Sequence, residues 1–190
     1  MNIKTFIENK LKETNREGIG ELLAYIDGAK FYEAPASTKY HGAKDGALAE
    51  HSKNVYELAH KVAKAWLEKG EYSRLKDSIT ICALLHDLGK CGDFGKQNYV
   101  ENILKSGNRS EKQPFATNNE LLFVDHEIRS VKLCSKFIDL TEDEEFAILY
   151  HNGLYGPLRY SIQGKETPLY MIIHFADMWA SRVIETKEEE

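Results

Sequence analysis

The run Ile79-Thr80-Ile81-Cys82-Ala83-Leu84-Leu85 is the most apolar in the chain, and it ends directly on His86-Asp87. A membrane-spanning helix needs roughly 20 apolar residues, so this shorter run has to be buried in protein. Leu75, Ile79, Cys82, Leu85 and His86 recur at helical spacing, with Gly89 as the stop. A buried helix that ends in a carboxylate opposes its own dipole, whose C-terminal end favours cations. Asp87 must therefore answer to a positive charge from elsewhere, and a bound metal ion would supply one.

The rest of the chain reads as helical too. The spacing of Ile3, Phe6, Ile7 and Leu11 predicts a first amphipathic helix, and a second covers Ile19 to Ile26. A loop follows from Gly28 to Gly46. A long helix runs from about Ala47 to Glu68, with Leu48, His51, Val55, Leu58, Val62, Ala65 and Trp66 as its inner stripe and Gly70 as its end. Ser73 is the expected cap of the helix that carries the apolar run. From Gly89 to Thr117 the chain is rich in Gly, Asn and Lys and reads as an insertion, with one short helix near Tyr99 to Leu104.

Asp125 is expected to cap a helix to about Ile138, with Ile128, Val131 and Cys134 inward, and Thr141 with Glu144 makes a capping box for the next. After a second irregular stretch, Thr167-Pro168 opens a last apolar helix, Pro being tolerated at the first position. Lys187 to Glu190 reads as a frayed, solvated end. No convincing period-two strand is present. The expectation is one all-α domain over residues 1–190, with its motif-bearing core at 46–181 and N-terminal helices and a loop at 1–45.

Charge narrows the partners. Against 25 Lys+Arg stand 30 Asp+Glu, a net charge of −5, which argues against a broad grip on extended nucleic acid but not against a small anion held through a metal. The three cysteines lack CxxC spacing and read as reduced thiols. The start, Met1 to Thr5, has no long apolar segment of the signal-peptide kind, so a soluble, cytoplasmic protein is expected.

Asp177 poses the same question as Asp87, since it lies within Ile172-Ile173-His174-Phe175-Ala176-Asp177-Met178-Trp179. A buried carboxylate without a partner costs several kcal/mol. His51, on the inner stripe of its own helix, brings a third polar group to the interior. His51, His86, Asp87 and Asp177 together make a mixed imidazole and carboxylate set suited to a divalent transition metal. His60 and His41 read as ordinary hydrogen-bonded histidines, with His41 also placed to contact a substrate, and His174 shares a helix face with Asp177.

These motifs resemble the HD-domain superfamily of metal-dependent phosphohydrolases, a helical-bundle fold with the ligand pattern H…HD…D. Gly46-Ala47-Leu48-Ala49-Glu50-His51-Ser52, Leu84-Leu85-His86-Asp87-Leu88-Gly89-Lys90 and Ile173-His174-Phe175-Ala176-Asp177-Met178 match its three motifs in order. Members with two metals add two histidines between the HD pair and the last Asp, and His126 and His151 stand in those places. Several such members carry a further His beside the later one, where this chain has Asn152.

The resemblance implies a metal site in the core, a phosphoric ester hydrolase, and one or two ions among Mn, Fe, Co, Ni, Zn or Mg. In the two-ion reading Asp87 bridges to an ion held by His126 and His151. In the one-ion reading those two histidines bind substrate phosphate. Metal-activated water would attack phosphorus, with Asp87 in the catalytic centre and Lys90 as the cationic phosphate contact. Arg129, three residues after His126, is placed to bind a substrate oxygen. The substrate expected is a small phosphoester, in the first place a nucleotide. Tyr99, Phe115, Tyr155 and Tyr160 lie in the irregular stretches that would select it. Two other readings stand beside this one: a di-iron oxygenase of the same fold, and a regulatory or scaffold module that retains the metal.

Overall fold

In the computed structural model, residues 2–39, 42–156 and 159–186 are described. They form α1 (Ile3–Glu13), α2 (Ile19–Gly28), α3 (Ala47–Trp66), α4 (Lys69–Leu85), α5 (His126–Cys134), α6 (Glu142–Tyr150) and α7 (Pro168–Trp179). The fold is all-α. His41 and the tail 187–190 lie outside the described residues.

The centre is a layer in which α3 packs on α4 and α7, and α6 packs on α7 and α5. Leu48, Val55, Ile79, Leu84, Leu85, Ile148, Leu169 and Ile173 meet there, each fully buried. Burial of such side chains stabilises by about 1.5–3 kcal/mol each. The inward faces of α3, α4 and α7 therefore approach one another, and any polar group on those faces is carried into the same interior.

Helix ends follow the local chemistry. The Thr141 hydroxyl accepts from Glu144 N while Glu144 Oε2 accepts from Thr141 N, a complete capping box. Thr167 accepts from Tyr170 N ahead of Pro168. α6 is also tied to the segment between α1 and α2: Arg16 donates to both carboxylate oxygens of the fully buried Glu144, at 2.7 and 2.9 Å.

Other expectations are corrected. α3 stops at Trp66 because Leu67 is extended, and α4 begins at Lys69 with Glu68 as cap. Gly70 thus lies in the first turn of α4, and the Ser73 hydroxyl donates to Lys69 O inside the helix instead of capping it. Trp66 and Ile128 are exposed, not inward. α5 ends at Cys134, short of Ile138. The stretch after Gly89 holds no helix at Tyr99–Leu104. A 3-10 turn (Leu88–Cys91) leads into two small antiparallel pairs, β1 (Gly92–Asp93) with β2 (Lys96–Gln97), and β3 (Tyr99–Glu101) with β4 (Phe115–Thr117).

Candidate metal centre

Each motif sits at a junction between helices. His51 lies in the second turn of α3, His86 is the C-cap of α4, and Asp87 follows it before the 3-10 turn. His126 opens α5, His151 is the C-cap of α6, and Asp177 is near the end of α7. All of these converge. His51 Nε2 lies 3.1 Å from Asp177 Oδ1 and 3.2 Å from His86 Nε2.

Asp87 is the hub. Its Oδ2 lies 3.5 Å from both His51 Nε2 and His86 Nε2, whereas its Oδ1 lies 3.2 Å from His126 Nε2 and 3.4 Å from His151 Nε2. The two carboxylate oxygens thus face two different pairs of imidazoles. Two overlapping groups, His51–His86–Asp177 and His86–Asp87–His151, bring their ligand atoms within 4.8 Å of one another.

The ring nitrogens that face outward are oriented by oxygens. His86 Nδ1 donates to Ala83 O at 3.0 Å, and His151 Nδ1 donates to Ile148 O at 2.8 Å. A carbonyl oxygen has no proton to give, so both rings carry a proton on Nδ1 and, when neutral, turn a lone pair inward from Nε2. His51 Nδ1 lies 2.9 Å from Glu185 Oε1, and His126 Nδ1 lies 3.2 Å from Glu127 Oε2. Fixing one ring nitrogen in this way while the other faces a shared point is the arrangement of metal-ligating histidines.

These lone pairs face acceptors. The inward nitrogens of His86 and His151 are directed at other imidazoles and at Asp87, and Asp87 Oδ1 is buried without a hydrogen-bond partner among the described residues. Acceptors packed against acceptors in a water-poor site are unfavourable unless a cation stands among them. The donor set, imidazole nitrogen plus carboxylate oxygen, fits divalent Zn, Fe, Mn, Co or Ni.

The electrostatics differ from group to group. Burial works against the charged form of Asp87, yet the Lys90 ammonium beside it and the neighbouring His86, His126 and His151 hold it well below the usual carboxylate range. For Asp177 burial is outweighed by His51, and its pKa is also depressed. Burial pushes His86 down to about 3, leaving it neutral as a ligand must be. His51 is opposite: burial disfavours its charge, but Asp177 and Glu185 raise its pKa to about 10.

Lys90 Nζ lies 2.7 Å from Asp87 Oδ2, and burial is overcome by that carboxylate to raise its pKa. With Tyr99 and Phe115, Lys90 also lines a cavity of about 580 Å³. Arg129 has a different setting from the one expected. It is buried, its Nη2 donates to Leu122 O at 3.0 Å, and its Nη1 has no hydrogen-bond partner among the described residues. His60 bonds Tyr72 and Thr80 through its two ring nitrogens, both at 3.0 Å, away from the centre.

Several supporting residues carried little signal in the sequence. Ser130 Oγ accepts from Gly89 N and donates to His126 O, both at 2.8 Å, joining the turn after the HD pair to the His126 helix. Their spacing hints at it only afterwards, because Ser130 is one turn beyond His126. Asn152 Nδ2 donates to Glu127 Oε1 at 2.6 Å and lies 3.3 Å from His126 Nε2. His174 Nδ1 donates to His151 O at 2.7 Å. Its ring fills the space above Gly153, whose φ is +54° and where a Cβ would lie 2.3 Å from the imidazole.

Compared with known protein families, the chain matches the HD domain over residues 48–178. No curated protein and no solved structure matches it.

Proposed function

Since the chain belongs to the HD-domain family, whose members are in general metal-dependent phosphohydrolases, we propose that it hydrolyses a small phosphoester, in the first place a nucleotide. The observation that carries this reading is the division of Asp87, with one oxygen toward His51 and His86 and the other toward His126 and His151. That division favours two ions, one held by His51, His86, Asp87 and Asp177 and one by Asp87, His126 and His151.

When bound, such ions lower the pKa of water toward neutrality and offset charge on a phosphoryl group. The protein's own groups do the rest. Ala83 O and Ile148 O fix the orientation of His86 and His151, so that neither ring has to turn on loading. Lys90, at the border between the centre and its cavity, has an ammonium that can pass from Asp87 Oδ2 to a phosphate oxygen. Asp87 and Lys90 are thus the groups proposed to touch the reacting centre. Tyr99 and Phe115 line the same cavity and offer aromatic surface to a base. Arg129, buried against Leu122 O, is proposed to support this loop alongside any reach toward substrate.

Phosphate release from a panel of nucleoside monophosphates, triphosphates and cyclic nucleotides, assayed with Mn²⁺, Co²⁺, Mg²⁺ and Fe²⁺, tests the reading. Release that disappears in Asp87→Asn supports it. Absence of release with every metal, or release that Asp87→Asn leaves intact, refutes it.

A further inference from the structure

Glu185 lies seven residues beyond the span matched to the family, yet its carboxylate reaches the first metal-ligand candidate. Oε1 and Oε2 lie 2.9 and 3.2 Å from His51 Nδ1, and Asn54 Nδ2, one turn along α3, donates to Oε1 at 3.2 Å. The sequence offers no reason to expect this.

The backbone explains how it gets there. α7 does not continue as an α-helix but widens into a π-turn at Ala180–Ile184. At about 100° per residue, an unbroken α-helix would set position 185 about 80° around the axis from Asp177. A π-turn closes on the fifth residue and advances less per residue, which brings Glu185 back toward the Asp177 face. The Ser181 hydroxyl, which donates to Asp177 O at 2.9 Å, stands at the start of this turn. One helix end therefore delivers two carboxylates to opposite nitrogens of a single imidazole, Asp177 to Nε2 and Glu185 to Nδ1.

We propose that Glu185 is a positioning residue for the metal centre: seated by the π-turn and by Asn54, it holds His51 with Nε2 facing Asp177, His86 and Asp87. This rests on the metal-centre reading above. His86 and His151 get the same service from main-chain carbonyls of their own helices, whereas His51, in the second turn of α3, gets it from a side chain more than a hundred residues away.

The test is calorimetric titration with Mn²⁺ alone on the full chain, comparing the parent, Glu185→Ala and Glu185→Gln, with thermal unfolding of each before metal is added. Loss of an outer partner of this kind typically costs 10–100-fold in metal affinity, so Glu185→Ala is expected to bind Mn²⁺ about 10–100-fold more weakly. Glu185→Gln, which keeps an oxygen acceptor for Nδ1, is expected to recover most of that affinity. If Glu185→Ala fails to fold, Asn54→Ala, which frees the carboxylate from its second anchor, is expected to show a smaller loss in the same direction. Equal affinity in parent and variants overturns the proposal, including the case in which Glu185→Ala melts earlier but binds as well. A parent that binds no Mn²⁺ overturns the metal centre itself and this role with it.

Discussion

Replacing Gly89 by alanine puts a methyl group where two elements of the site touch. A Cβ at this position would lie 2.2 Å from the His126 carbonyl oxygen, 2.9 Å from Arg129 Cβ and 2.9 Å from Ser130 N. Two of these atoms are backbone, so no side chain can swing aside. Ordinary contact begins at 3.4 Å, and the 3-10 turn after Asp87 must separate from α5 by about 1 Å, twice the tolerance of about 0.5 Å for a functional constellation. Overpacking of this kind costs about 1–3 kcal/mol, which for a chain of this size lowers Tm by about 2–12 °C. The same displacement stretches the 3.2 Å approach of His126 Nε2 to Asp87 Oδ1. Gly89→Ala is therefore expected to lose both thermal stability and Mn²⁺ affinity, measured by differential scanning calorimetry and by titration calorimetry. Ser130→Ala is the control, because it leaves the buried Gly89 N–H without its acceptor at a cost of about 1–3 kcal/mol but pushes nothing apart. It should lower Tm with a smaller change in affinity. A Gly89→Ala protein with the parent's Tm and the parent's Mn²⁺ affinity would refute the reasoning.

Further outcomes follow from the same structure. Thr141→Ala removes the hydroxyl half of the α6 capping box and is expected to destabilise by about 0.5–2 kcal/mol in urea unfolding. The Arg16 pair and the Thr141 N–H hold the Glu144 pKa below its ordinary value despite burial. Its contribution is therefore complete above the unfolded value near 4.5 and is lost as pH falls through the lowered folded value, so the parent's acid unfolding should be steeper there than that of Glu144→Gln. Burial, with Lys64 and Lys10 nearby, lowers the His60 pKa to about 4. The unfolded chain then binds one more proton than the folded one between about pH 4 and 6.5, and stability should fall as pH drops through that window. His60→Gln, followed by Tm against pH, should flatten that slope, and an unchanged slope would remove His60 as its source.

What could be read from the chain alone has a physical boundary. His51, His86 and Asp177 were legible because each is a polar group on an otherwise apolar helix, and Asp87 because a carboxylate just past the end of a buried helix opposes the dipole. Thr141 with Glu144 and Thr167 with Pro168 were legible for a similar reason, since a cap is satisfied within three residues. The hairpins after Gly89 were not. β3 pairs with β4 across an intervening loop, and β1 turns into β2 through Phe94 and Gly95 at positive φ, so neither depends on an alternating run. The start of α4 was misplaced because Glu68 caps it by backbone geometry without a side-chain hydrogen bond, while Ser73 looked the better cap. Glu185 was invisible for the deepest reason: its place depends on a change of helix type, and nothing in Ala180-Ser181-Arg182-Val183-Ile184 marks that change by composition.

The Lys90 ammonium, seated 2.7 Å from Asp87 Oδ2 and largely enclosed, has a consequence for biosynthesis. It is a built-in counterion, delivered by the chain itself three residues after the acid it neutralises. Small zinc modules whose ligands have no such resident charge stay unfolded until the ion arrives. Here the central carboxylate has a partner within the chain itself, so the bundle is expected to fold before any metal binds, and chelator-treated protein should keep a cooperative thermal transition.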